Sequence, residues 1–120
     1  MVNKRREGAF FEEAAASHLT EQGYLILERN YKRKTGEIDL IAAGEAHIIF
    51  IEVKYRRNRL SGAPEEAVTP SKQQRILRTA AWYMKEHHLS PDTPCRFDVI
   101  AVEGERGEEI RHLKNAFGGM

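Results

Sequence analysis

Two carboxylates and a lysine stand against apolar surroundings in this chain: Asp39, Glu52 and Lys54. Asp39 lies inside Gly36-Glu37-Ile38-Asp39-Leu40-Ile41, and Glu52 and Lys54 close the run that begins at Ile48. Buried carboxylates and a buried lysine are tolerated only when they are paired or bound to metal. Side chains of these types, brought together, are within reach of a shared ion. A Glu-x-Lys tripeptide alone reads as a solvated strand face. That reading weakens here because the preceding run, Ile48 to Ile51, is wholly apolar.

Strand periodicity gives the three residues a common side. Alternation places Phe50, Glu52 and Lys54 on one face of a third strand, roughly His47 to Tyr55, and Ile49, Ile51, Val53 and Tyr55 on the other. A second strand, Glu37 to Ala42, has Glu37, Asp39 and Ile41 opposite Ile38, Leu40 and Ala42. If the two form a hairpin with an even loop, Asp39 joins the face of Glu52 and Lys54; an odd loop puts it on the wrong side. A two-residue Gly44-Glu45 turn sets Asp39 opposite Phe50 and diagonal to Glu52.

The elements around this hairpin follow from local signals. An Ala-rich segment from about Arg6 to Gln22 has helical spacing at Phe10, Phe11, Ala14, Ala15 and Leu19, and Gly23 stands as its C′ residue. On that helix Glu13 falls nearly opposite the apolar side, whereas Glu12 lies at its edge and can lean toward the sheet rim. Tyr24 to Asn30 is a first strand, followed by a basic turn, Lys32 to Gly36. Arg56 to Val68 reads as a long loop, of a length that is often functional. Thr69-Pro70 is an N-cap with proline at N1, opening a helix to about His88. Arg96 to Val102 and Ile110 to Leu113 complete the order α-β-β-β-α-β-β, a central mixed sheet flanked by helices.

Composition excludes other classes. With 120 residues, 41% hydrophobic and 31% charged, the chain fits one globular domain over 1–120 without disulfides or a structural metal. Net charge is +1, which excludes a wholly basic binder and leaves room for a basic patch. The single cysteine, Cys95, fits a reducing compartment. No run approaches the ~20 apolar residues of a membrane span, and Glu7, Glu12 and Glu13 interrupt any signal-peptide core. A cytoplasmic domain without membrane contact is expected. There is no Gly-x-x-x-x-Gly-Lys loop, no Gly-x-Gly-x-x-Gly and no Gly-x-Ser-x-Gly. His87 and His88 are adjacent and diverge on a helix, so they cannot chelate together. Asp98 interrupts an apolar strand and reads as a structural hydrogen-bond acceptor.

The motifs resemble the PD-(D/E)xK signature of restriction-endonuclease-like nucleases, through Gly36-Glu37-Ile38-Asp39-Leu40-Ile41 and Ile51-Glu52-Val53-Lys54-Tyr55-Arg56. With Gly8 and Glu12, Arg29-Asn30-Tyr31, Arg96-Phe97-Asp98-Val99 and Asn115-Ala116-Phe117, nearly the whole chain is similar to the YraN-like family of bacterial proteins, itself similar to archaeal Holliday-junction resolvases. Ile38 stands where the name-giving proline would be. The resemblance implies that Asp39 and Glu52 are metal-binding acids, joined by the Val53 carbonyl around Mg²⁺ or Mn²⁺. It implies that Lys54 is the third catalytic residue and Glu12 an additional helix-borne acid. It further implies a metal-dependent endonuclease on DNA, branched DNA included, and a homodimer. A nucleic-acid-binding or adaptor protein that keeps the fold without turnover is the competing reading.

Basic residues cluster although the total balances: Lys4-Arg5-Arg6, Arg29 with Lys32-Arg33-Lys34, and Lys54 with Arg56, Arg57 and Arg59. On the second helix Lys72, Arg75, Arg78 and Lys85 share a flank with Trp82, opposite Ile76, Leu77, Ala80, Ala81 and Met84. A cationic flank attracts phosphate backbone, and an aromatic within it can stack on an unpaired base. Arg56, Arg57 and Arg59, directly after Lys54, with Lys72 and Arg75, are the nucleic-acid-binding candidates.

Overall fold

The computed structural model describes residues 4–118, with side chains from residue 6 onward. The side chains of Lys4 and Arg5, part of the first basic cluster, lie outside the described residues. The element order is α1 (Lys4–Glu21), β1 (Leu25–Arg33), β2 (Gly36–Gly44), β3 (His47–Arg56), a short 3-10 helix (Pro64–Ala67), α2 (Pro70–Glu86), β4 (Cys95–Glu103) and β5 (Glu109–Phe117). This is the expected α/β succession. Among the described residues no helix is long and apolar enough to cross a membrane.

The five strands form one mixed sheet in sequential order. β3 and β4 run parallel at its centre, and the other neighbours are antiparallel. Parallel neighbours need a long crossover, which the 3-10 helix and α2 supply. Central strands covered on both faces read as continuous apolar runs, as β3 and β4 do. One core packs Phe11, Ala15 and Leu19 of α1 on Leu40, Ile49, Ile51, Ile100 and Val102. The other packs Ile76, Ala80 and Tyr83 of α2 on Ile38, Ile41, Phe50 and Val99. The sheet is thus sandwiched by one helix on each face.

Three local expectations are corrected. Phe10, expected in the core, is 60% exposed, and Ala16 is buried instead, so α1 is turned toward the side that carries Glu12. Ala81 is exposed, while Thr79 and Tyr83 are buried, which rotates α2 similarly. The β2–β3 turn is Glu45-Ala46, with φ of 51° and 65°, the signs of a type I′ hairpin. Gly44 remains in the strand because the Tyr24 ring covers it and leaves no space for a Cβ. Glu45 is held in the turn by hydrogen bonds from Tyr24, Arg96 and Lys114.

Candidate active site

The corrected turn keeps an even loop and moves the register by two residues. The β2–β3 ladder runs from Gly44↔His47 to Leu40↔Ile51 and ends there. Beyond it β2 is bonded only to β1, and β3 only to β4. Asp39 and Glu52 are the first residues past the last pair, on opposite sides of the fork. Asp39 Oδ2 accepts a 2.8 Å hydrogen bond from the Val53 N–H. The N–H and C=O of a strand residue point to the same side, so the Val53 carbonyl also opens toward the fork.

A left-handed residue of β1, still in register with β2, accompanies the fork. The β1–β2 pairs run Arg29↔Leu40 and then Tyr31↔Ile38, so Asn30 faces Asp39 between them. Asn30 has φ of 52°, a left-handed conformation that Asn adopts more readily than most residues. Ile38 and Ile41 both belong to the α2-side core, while Leu40 belongs to the α1-side core. Simple alternation therefore breaks at Asp39.

Glu52 is 9% exposed, and its Oε1 is buried with no hydrogen-bond partner among the described residues. Lys54 Nζ stands 3.5 Å from Oε2 of the same carboxyl. Burial, and then the neighbouring Asp39 charge, push the Glu52 carboxyl up to about 8, against the pull of Lys54. Asp39 is also raised, chiefly by burial, although the Val53 N–H opposes this. Such an environment disfavours two naked anions, and a cation would relieve it. Among the described residues no three His, Cys, Asp or Glu side chains converge as a complete metal cage. Mg²⁺ needs none: it binds through one or two carboxylates and keeps waters and substrate oxygens. The donor set of Asp39, Glu52 and the Val53 carbonyl is all oxygen, and the orphaned Oε1 is a free position, so these residues fit a hard divalent ion.

Glu12 approaches the same cluster from α1. It is half-buried, and its carboxyl is raised to about 7 by burial, then by Asp39 and Glu37. Glu13 is exposed and ion-paired with Arg29. The two acids therefore part as the helix geometry predicts.

The basic candidates divide. Lys72 and Arg75 of α2 line one cleft with Glu37, Glu52 and Lys54. Gly36 permits this approach: a Cβ there would sit 3.3 Å from Thr79 Oγ1 and 3.5 Å from the Arg75 Cβ. Arg56 continues β3 beyond Lys54 and is half-buried. Arg57 lies 3.5 Å from Glu105. Arg59 forms a two-pronged bond to Glu103, 2.8 Å on each prong, within a network that includes Arg111 and Glu65. Sequence reasoning did not single out Glu37 as a member of the acidic group or Asn30 as a left-handed residue; asparagine inside a strand pattern was the available signal for the latter.

A mixed sheet of this order, with acids at the fork of its central hairpin, is compatible with the restriction-endonuclease-like fold. Residues 11–102 match the model of uncharacterised protein family UPF0102. A UPF0102 protein of Lachnoclostridium phytofermentans is 50% identical over 116 residues, 97% of this chain and 96% of that one. UPF0102 proteins of Symbiobacterium thermophilum and Pelobacter propionicus are 48% and 46% identical, covering 94% and 96% of this chain and 97% and 84% of theirs. The chain belongs to family UPF0102, the YraN-like family that its motifs resemble. The names of these relatives state a family and no activity.

Proposed function

We propose that this protein is a metal-dependent endonuclease that hydrolyses phosphodiester bonds of DNA. The observation that carries the reading is the unpartnered, buried Oε1 of Glu52 beside Asp39, in a cleft that also holds Lys54, Lys72 and Arg75. A structural acid would have acquired a donor, because an unmatched buried polar atom costs about 1–3 kcal/mol.

Asp39, Glu52 and the Val53 carbonyl would hold Mg²⁺ or Mn²⁺. When bound, the ion supplies charge that polarises the phosphodiester and makes water more acidic. The chain's own residues do the remaining work. Lys72 and Arg75 draw the phosphate backbone to the cleft, and Lys54 donates from Nζ to a phosphate oxygen or orients the attacking water. Glu12, whose carboxyl titrates near neutrality, can hold or release a proton at the rim.

The test is a cleavage panel of linear duplex, single-stranded, flapped and four-way DNA, with RNA alongside, in Mg²⁺ and in Mn²⁺. We expect metal-dependent cleavage of at least one DNA. It should be lost in Glu52→Gln and Lys54→Ala, by roughly 100-fold or more, while binding survives. Binding without cleavage across the panel in both metals would select the adaptor reading instead.

A further inference from the structure

The exposed flank of α2 reaches well beyond the acidic cleft. Its basic residues are Lys72, Arg75, Arg78 and Lys85, and its only acid is Glu86. Glu86, within about 40° of Trp82 around the helix, is already bound by Arg33 and Tyr31. Elsewhere most arginines are neutralised: Arg29, Arg33, Arg57, Arg59, Arg96 and Arg111 each face a carboxylate. Among the described residues none of the four α2 cations has an acidic partner. Their charge is left for something outside the chain.

Trp82 stands in the middle of this flank. It is the only tryptophan and is 45% exposed. Lys85 Nζ lies 5.5 Å from its ring centroid, and a shallow cavity lies between Trp82, Arg78 and Lys85. Seven residues separate Trp82 from Arg75, two helical turns within about 20° of the same face, and about 10 Å along the axis. Successive nucleotides on one strand of stacked DNA rise about 3.4 Å along the helix axis, so this matches the axial rise of about three stacked nucleotides. An indole flanked by unpaired cations suits a nucleobase attached to a phosphate chain: the ring stacks while the cations hold the backbone. In a continuous duplex the base faces are already stacked on each other and offer no partner to the indole.

We infer that Trp82 is a stacking platform for an unpaired base about three nucleotides from the phosphate held in the cleft, with Arg75, Arg78 and Lys85 tracking the intervening backbone. The substrate class is then DNA with a single-stranded stretch or a gap beside the cleavage point. This deepens the nuclease reading and rests on it for the position of the cleft.

The single tryptophan makes the test direct. Intrinsic fluorescence of the full chain is titrated, without divalent metal, with a single-stranded oligonucleotide, the same sequence as a blunt duplex, and a duplex with a short gap. Quenching is expected with the single-stranded and gapped forms and little with the blunt duplex. By anisotropy of labelled DNA, Trp82→Ala should lose roughly 5- to 100-fold in affinity for the first two, and Trp82→Phe should keep most of it. Equal quenching by all three, wild-type affinity in Trp82→Ala, or a change of oligomeric state in that variant would overturn the platform. The two readings fail separately. Cleavage that is indifferent to Trp82 in rate and substrate preference refutes the platform alone, while Trp82-dependent binding without cleavage in Mg²⁺ or Mn²⁺ refutes the nuclease and keeps the platform.

Discussion

Asp98 and Glu52 sit on the two central strands, on adjoining rungs of one ladder: Ile51↔Asp98 and Glu52↔Val99. Both are buried acids, and each belongs to a region with a left-handed asparagine on an edge strand; of these two positions the strand bulges only at the one beside Asp98, where the β4–β5 register shifts between Phe97 and Val99. Asn115, with φ of 52°, lies beside Asp98, and Asn30 lies beside Asp39, the partner of Glu52. Their surroundings then diverge. Asp98 is fully buried and accepts from Arg96 at 2.8 and 2.9 Å, from the Asn115 N–H at 2.9 Å, and forms a 2.6 Å bond with His112. Burial would raise it, but these donors win and hold it below the usual carboxylate range. Glu52 meets a second acid, a lysine at 3.5 Å, and nothing at Oε1. Burial alone therefore does not mark a site. The informative quantity is whether the protein supplies the donors itself or leaves them to a ligand.

The largest expected difference between the two regions is in stability. Asp98→Ala leaves His112 and the Asn115 N–H without their acceptor and Arg96 with Glu45 as its remaining carboxylate, and breaking a buried pair this way costs about 3–5 kcal/mol. Glu52→Gln, in metal-free buffer, replaces a carboxyl that the folded chain keeps largely protonated at neutral pH with a neutral amide of the same shape, and should cost less than about 1 kcal/mol or stabilise. Urea denaturation of both variants at neutral pH measures the contrast. A cost for Glu52→Gln as large as for Asp98→Ala would show that Glu52 is structural after all.

A somewhat smaller effect separates the regions by pH. The Glu52 carboxyl, ordinarily near 4.5, is held at about 8 in the folded chain, so the folded state keeps a proton that the unfolded state loses. Its contribution to stability is present at low pH and falls as pH rises from about 4.5 to 8. Glu12, raised to about 7, acts in the same direction. Asp98 is depressed, so its contribution is present above its ordinary 3.8 and is lost as pH falls through the lower folded value. Between pH 5 and 8 only the first slope operates, on the order of 2–4 kcal/mol. Metal-free wild-type protein should then have a lower urea midpoint at pH 8 than at pH 5, and Glu52→Gln should flatten the difference. A midpoint that rises over this range would contradict the assigned environment of Glu52.

How much of this contrast was legible in the sequence depends on what each feature rests upon. Apolar runs at β3 and β4 and the Thr69-Pro70 helix start are local signals, and they yield the element order directly. Parity of the hairpin loop was enough to bring Asp39 and Glu52 together, although the turn itself was misplaced by one residue. That error came from tertiary packing: Tyr24 over Gly44 and three donors on Glu45 decide the turn, and none of them is near in sequence. The union of Lys72 and Arg75 with the acids depends on α2 docking over Gly36, again a long-range contact. Arg59 looked available after Lys54, yet its bond to Glu103 spans 44 residues. The left-handed asparagines were readable in principle, since Asn is the side chain best suited to a left-handed position after glycine.

The smallest and most discriminating expectation concerns neighbouring acids on α1. Glu12 leans into the fork, with its carboxyl raised by burial and by Asp39, while Glu13 is exposed and paired with Arg29. If Glu12 completes the cluster of Asp39 and Glu52, Glu12→Gln should weaken Mg²⁺ or Mn²⁺ affinity by roughly 10- to 100-fold, as changes in residues that support a metal's ligands commonly do. Glu13→Gln should shift stability by no more than about 0.5 kcal/mol and leave metal affinity unchanged. Both substitutions remove one carboxylate from the same helical turn, so general electrostatics would weaken the metal equally in the two variants. Position would not. Metal titration followed by thermal denaturation reads this without any substrate, because an ion that binds only the folded chain raises its melting temperature. Equal losses from the two variants would reduce Glu12 to a distant charge. No loss from either would confine the site to Asp39, Glu52 and Lys54, and would leave the raised Glu12 carboxyl as a consequence of crowding at the fork rather than a part of its chemistry.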